Sequence, residues 1–219
     1  TEVLDEDVTR LGIFFPVYMG GVPYPVREFI HKTLGERDNS GLKYVFSLLT
    51  CGSSGKSAEW IMDRLLQEIG IGISYTQSFR YPDSYLPLIK NIPDEAKTKD
   101  ILDKAEDKIK KAILDIENEE IKLPGKPLFG KLMAKISSKT GPDKKDKNMS
   151  VDDSCILCGL CKSICPSNNI TMGEKKATIG DGCLHCYACY NNCPKEAIKY
   201  TGRSGHYKSL VKVEELKRR

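Results

Sequence analysis

No stretch of this 219-residue sequence approaches the roughly 18 consecutive apolar residues that a membrane-crossing helix requires. The opening residues, TEVLDEDVTR, are polar and acidic and lack the basic start of a secretory signal. A cytoplasmic protein with no membrane partner is therefore the expectation. Excess charge is also small: 34 Lys and Arg against 30 Asp and Glu leave a formal +4, which points to no nucleic-acid partner. Histidine is scarce. His31, His185 and His206 are scattered, and no Cys-His, Ser-His or paired-carboxylate arrangement is evident, so no catalytic residue is assigned. Cysteine is almost missing from most of the chain: of nine, Cys51 stands alone and the others lie between Cys155 and Cys193. In a reducing compartment such a cluster points to metal binding rather than to disulfides. What is present is a hydrophobic content of 40%, enough for one domain of ordinary size and a small second one.

The stretch TCGSSGKSA (50–58) has the outline of a nucleotide-binding loop, since LKYVFSLL before it reads as a buried strand and SAEWIMDRLLQEIG after it as a helix. Its spacing argues otherwise. A phosphate-cradling loop places four residues between its first glycine and the Gly-Lys pair, whereas only two separate Gly52 from Gly55. A glycine-rich turn between strand and helix is the simpler reading, and ATPase activity is not expected.

Residues 1–121 alternate between strand and helix. LGIFFPVY, LKYVFSLL and IGISYTQSFRY read as strands, VREFIHKTLG and SAEWIMDRLLQEIG as helices. After a loop with Pro82, Pro87 and Pro93 comes a long charged helix on which Ile101, Ala105, Ile109, Ile113 and Ile116 share one face. Apolar strands separated by helices imply a parallel sheet covered on both faces. Residues 122–150 carry eight lysines against two aspartates and read as a basic linker. Docking to an acidic partner or a membrane surface is the other reading of that excess, and a solvated connector is the commoner one. Residues 151–219 form a small cysteine domain with a basic tail ending ELKRR.

The cysteine domain contains one pattern twice. CILCGLCKSICP places Cys155, Cys158, Cys161 and Cys165 before Pro166, and CLHCYACYNNCP places Cys183, Cys186, Cys189 and Cys193 before Pro194. Each reads C-x2-C-x2-C-x3-C-P, the spacing that wraps three thiolates around one 4Fe-4S cube and sends the fourth to its neighbour. On that pattern Cys155, Cys158, Cys161 and Cys193 hold one cluster, and Cys183, Cys186, Cys189 and Cys165 hold the other. Structural zinc is the alternative, but zinc sites pair separated C-x2-C knuckles instead of packing four thiols into one short run. His185 is expected to be an exposed spacer. In so small a domain the clusters also act as structural staples. The region closely resembles the bacterial two-cluster ferredoxins, which implies an α+β fold and single-electron transfer.

The preceding domain resembles a flavodoxin, and the whole chain resembles the flavodoxin-ferredoxin fusion proteins. The likeness rests on FFPVYMGGVP (14–23), LLTCGSSG (48–55) and their order. It implies an α/β fold, a partial flavodoxin-like parallel sheet with flanking helices. By this resemblance Tyr18, Met19, Gly20 and Gly21 form the loop that borders the FMN ring. A glycine there lets a peptide turn over toward the reduced ring and stabilise a one-electron flavin state. Likewise Thr50, Cys51, Gly52, Ser53 and Gly55 would face the pyrimidine edge, and Lys56 and Ser57 would begin the next helix. Tyr18 either covers the flavin face or packs in the core. Cys51 reads as a small buried or ring-facing residue rather than a redox-active thiol.

One departure from the family stands out. A flavodoxin holds the FMN phosphate in a Ser/Thr- and Gly-rich loop at a helix N-terminus after its first strand, and no such stretch precedes Leu11. A domain lacking its N-terminal strand-helix units is expected, and FMN is expected to bind only if the phosphate loop is supplied. The leading expectation is an electron-transfer protein that passes electrons between FMN, two 4Fe-4S clusters and protein redox partners. The rival is a flavin and iron-sulfur oxidoreductase acting on a small substrate. The sequence leaves the oligomeric state open.

Overall fold

The computed structural model describes residues 8–87, 89, 94–138 and 147–207. The basic tail and residues 139–146 of the expected linker lie outside the described residues. The chain divides into two compact units, Thr1–Pro82 with Glu95–Gly141, and Asp83–Asp94 with Pro142–Arg219.

In the first unit, strands β1 (Arg10–Pro16), β2 (Tyr44–Cys51) and β3 (Tyr75–Arg80) form a parallel sheet in the order β1-β2-β3. Helix α1 (Tyr24–Phe29) runs directly into a π-helical turn (Ile30–Leu34), and α2 (Lys56–Glu68) follows β2. Side chains alternate across a strand, so Leu11, Ile13 and Phe15 share a face with Val45 and Leu49. That face is buried with Ile30, Leu34, Ile61, Met62 and Leu66. Each large aliphatic side chain removed from water there contributes about 1.5 to 3 kcal/mol. On the opposite face, α3 (Glu95–Glu117) packs Ala112 and Ile116 against Tyr44, Tyr75 and Phe79.

Side-chain bonds fasten the end of α3. Arg10 Nη2 donates to the Ile116 carbonyl at 2.6 Å, and the Tyr44 hydroxyl to the Glu120 carbonyl at 2.8 Å. The shared face expected for α3 is only partly buried: Ala105 and Ile116 are covered, but Ile113 is 48% exposed. Strand β1 pairs with β2 alone among the described residues, and Phe14, on its second face, is 65% exposed.

Residues 122–138 differ from the linker expected there. Lys122 joins the outer edge of β3: its N–H donates to the Ser74 carbonyl at 2.9 Å, and its own carbonyl accepts from Thr76 N–H at 3.0 Å. Further on, α4 (Gly130–Ser138) puts Met133 and Ala134 against the core of the first unit. Lysine content concealed this. The apolar residues that anchor the segment are few, and composition averages them away.

The second unit is built from two antiparallel pairs, β4 (Met149–Val151) with β7 (Ile198–Tyr200) and β5 (Ile170–Met172) with β6 (Ala177–Ile179). Helices α5 (Leu160–Ser163) and α6 (Ala188–Asn191) are single turns. A strap from the loop between β3 and α3 also belongs here. Its Leu86 is buried against Met149, Tyr187 and Tyr200, Arg203 donates to the carbonyls of Leu86 and Pro87 at 2.7 and 3.0 Å, and the Tyr207 hydroxyl donates to the Asp83 carbonyl at 2.8 Å.

Candidate functional site

The two cysteine motifs fold alike. Each enters its single helical turn through a residue in the left-handed region, Gly159 (φ 76°) before α5 and Tyr187 (φ 55°) before α6. Leu157 and His185 are left-handed at matching places, and so are Asn168 and Glu196. Such φ values are uncommon for residues other than glycine, so packing must hold the loops in place. The loops turn backbone N–H groups toward sulfur: Asn169 N–H donates to Cys165 Sγ at 3.3 Å, Ala197 N–H to Cys193 Sγ at 3.2 Å and His185 N–H to Cys183 Sγ at 3.3 Å.

Two cavities result. Cys155, Cys158, Cys161 and Cys193 line one, beside Ile156 and Pro194. Cys165, Cys183, Cys186 and Cys189 line the other, beside Pro166 and Tyr187. Each encloses about 370 Å3 of atom-free space, part of it open to solvent. Each also takes three thiols from one motif and its fourth from the other. The thiols surround a void instead of converging on a point. Among the described residues no group of three or more His, Cys, Asp or Glu is placed to hold a single metal ion. A tetrahedral zinc would draw its sulfurs to about 2.3 Å from one centre, so this donor set fits a polynuclear cluster better.

Electrostatics favour a cation there. Burial pushes the thiols of Cys161 and Cys186 up from their ordinary range. It pushes Cys189 furthest, with further contributions from Cys186 and Cys183. Crowded, desolvated thiols resist ionisation unless positive charge sits among them, and iron bound there would supply that charge and favour the thiolate form of these cysteines. The two cavities differ in cover. Cys158 is exposed, whereas Cys155, Cys161 and Cys193 beside it and all four thiols of the other cavity are partly buried. Tyr187 is buried edge-on to Tyr200 and Tyr85, with ring centroids 5.6 and 6.0 Å apart. The strap's part in this was missed from the sequence, because Tyr85 and Leu86 are remote from the cysteines and carry no motif. His185, expected to be an exposed spacer, is instead half-buried: it lines neither cavity and lies edge-on to Tyr187 at 6.4 Å.

The loops of the first unit come together at one end of the sheet. Pro16 is in register with Thr50, so the chain leaves two adjacent parallel strands at the same edge, where open α/β sheets bind ligands. Tyr18 and Gly21 close a tight turn, each N–H donating to the other's carbonyl at 3.1 and 2.8 Å, over Met19 (φ 49°) and Gly20 (φ 74°). Tyr18 is half-buried and Met19 exposed. In the second loop the Thr50 carbonyl accepts from Val17 N–H at 2.7 Å, and the Gly52 carbonyl from Arg80 Nε at 3.3 Å. Cys51 is buried with its thiol toward the Phe79 carbonyl at 3.6 Å. Ser53 is exposed. Gly55 caps α2 where a Cβ would meet the Ser78 side chain at 2.3 Å, and Lys56 is the first residue of that helix.

Among the described residues no helix is long and apolar enough to cross a membrane. Neither the curated proteins nor the solved structures contain a match to the chain. Residues 140–198 match the family model of the 4Fe-4S dicluster domain, which makes this part of the chain a ferredoxin-like, iron-sulfur region with an electron-transfer role.

Proposed function

We propose that the chain is an electron carrier with two 4Fe-4S clusters. One would be held by Cys155, Cys158, Cys161 and Cys193, the other by Cys183, Cys186, Cys189 and Cys165. The supporting observation is the partition of eight thiols between two cavities, each completed by one cysteine of the other motif. A bound cluster supplies a one-electron redox couple. The chain's own residues do the rest: backbone N–H groups donating to Cys165, Cys183 and Cys193 favour extra negative charge at sulfur, while buried Tyr187, in one core with Leu86, walls one side of the second centre. Unequal cover implies unequal potentials, because exposure and hydrogen bonds to sulfur set them.

The first unit is the scaffold for FMN in this reading. The Tyr18–Gly21 turn (18–21) and the 50–55 loop would face the ring, and neither would supply the phosphate anchor. Protein redox partners would exchange electrons with the flavin or with the clusters, in the cytoplasm.

Anaerobic reconstitution tests the cluster assignment. About eight iron and eight sulfide per chain are expected, with magnetic coupling between two reduced centres in the EPR spectrum. About four iron per chain would refute two clusters, and bound zinc without sulfide would refute the iron-sulfur assignment altogether.

A further inference from the structure

The segment 121–138, IKLPGKPLFGKLMAKISS, contains four lysines and no acidic residue. Its apolar residues divide between two sides. Met133 and Ala134 face the core, and Gly130 lies so close to α2 that a Cβ would meet Trp60 Cε3 at 3.0 Å and Pro127 Cγ at 2.9 Å. This close approach fixes the turn before α4, where Gly130 N–H donates to the Pro127 carbonyl at 3.0 Å. On the outer side Leu128 is 90% exposed, Phe129 64% and Leu132 54%. Phe129, Leu132 and Ile136 follow helical spacing, so they form one outward stripe that begins at the Leu128 turn. Lys126, Lys131 and Lys135 are exposed beside it. Scattered surface leucines need no explanation, but a held, contiguous apolar stripe flanked by one sign of charge does.

We propose that this surface docks on an anionic lipid bilayer, with Leu128, Phe129, Leu132 and Ile136 entering the headgroup boundary and the lysines meeting lipid phosphates. Three observations select a bilayer over a protein. The stripe starts at a protruding turn, with Leu128 almost fully exposed, a form that enters a soft surface more readily than it matches a protein groove. Every cation in it is lysine, a residue depleted in protein interfaces, where arginine is enriched. Its combination of exposed Leu and Phe with flexible Lys stems beside them is found in interfacial helices. The proposal departs from the sequence expectation of no membrane partner. It is independent of the flavin reading and would bring the carrier to reductants or oxidants held at a membrane.

Co-flotation of the full chain, clusters loaded, with vesicles of phosphatidylcholine alone or mixed with phosphatidylserine is the test. The wild type is expected to float with the mixed vesicles at least about tenfold more than with phosphatidylcholine alone, and to be released by salt. Leu128→Ser with Phe129→Ser should weaken binding by about tenfold or more while iron content and circular dichroism stay unchanged, since both side chains are exposed. Lys126→Glu with Lys131→Glu should abolish the preference for phosphatidylserine. Failure of the wild type to float overturns the proposal, and so does flotation indifferent to Leu128→Ser with Phe129→Ser. Retention on immobilised polyglutamate without flotation, or self-association that these substitutions abolish without affecting vesicles, would assign the surface to an acidic protein or to a second copy of the chain.

Discussion

Asn169 and Ala197 occupy equivalent places in the two cysteine motifs, and each donates its backbone N–H to the sulfur four residues before it, at 3.3 and 3.2 Å. Those sulfurs belong to Cys165 and Cys193, the two thiols that line the cavity of the other motif. Cys165→Ser is therefore expected to damage the centre formed with Cys183, Cys186 and Cys189 and to spare the one nearer in sequence. EPR of Cys165→Ser beside Cys193→Ser separates the two signals. Loss of the nearer centre alone in Cys165→Ser would show that the ligands are not exchanged.

Leu86 carries a second expectation. It is 2% exposed in the core of the iron-sulfur unit, and Leu86→Ala should cost about 2 to 5 kcal/mol, as large-to-small core changes do. Because the strap backs Tyr187, the substitution should also shift the potential of the second centre more than that of the first. Thermal melting of the loaded protein and a redox titration followed by EPR measure the two effects. Equal shifts at both centres would mean that the strap has no local influence.

The buried end of α3 gives a pH dependence. Tyr75 donates its hydroxyl to Asp115 Oδ2 at 3.1 Å, and Lys111 Nζ donates to Asp115 Oδ1 at 2.9 Å. The Lys111 hydrogen bond, aided by Tyr75, holds the Asp115 carboxyl below its ordinary range. A depressed carboxyl stabilises the fold above its unfolded pKa, about 3.9, and that stabilisation is lost as pH falls through the lower folded value. Denaturation followed against pH should show a smaller loss of stability below about pH 4 in Asp115→Asn than in the wild type. Tyr75→Phe should cost about 1 kcal/mol at neutral pH.

For the flavin, the expectation is weak binding by this chain. On the proposed reading the loops at 18–21 and 50–55 would face the ring side only, and each charge-assisted hydrogen bond to the phosphate that they do not supply forfeits about 1.5 to 3 kcal/mol. Fluorescence titration with FMN should show little quenching, and a version carrying a strand and a Ser/Thr- and Gly-rich phosphate loop ahead of β1 should bind tightly. Tight binding by the 219-residue chain would place the phosphate elsewhere, and no binding by the version with the added loop would remove the flavodoxin-like reading.

Lys56 gives the simplest test. It is exposed at the start of α2, so calorimetry with ATP and magnesium should detect no binding, and Lys56→Ala should leave redox activity unchanged. ATP binding that disappears in Lys56→Ala would revive the nucleotide reading.

Motif spacing made the cysteine region legible, because thiol chemistry demands particular residues at particular intervals. The core strands were legible too, although β2 begins two residues after LKYVFSLL does and β3 begins only at Tyr75. Periodicity locates apolar residues but not the ladder, and Ile71 and Ile73 are buried ahead of β3 without belonging to it. The course of residues 83–87 was beyond such reading. Nothing in Asp83, Tyr85 or Leu86 states which core they will join, and only long-range contact with Arg203 and Tyr207 decides it. Residues 122–138 were misjudged for a related reason: two inward side chains, Met133 and Ala134, outweigh the surrounding lysines.

The strap has a consequence for biosynthesis. Translation proceeds from the N-terminus, so Tyr85 and Leu86 leave the ribosome well before the cysteines whose unit they complete, and they must wait until Tyr187, Tyr200 and Arg203 have been made. Leu86 and Pro87 can therefore reach their final state only after the C-terminal region has folded, which on the proposed reading requires its clusters. On the cluster reading, a chain made without iron would keep Tyr85 and Leu86 without the core that buries Leu86.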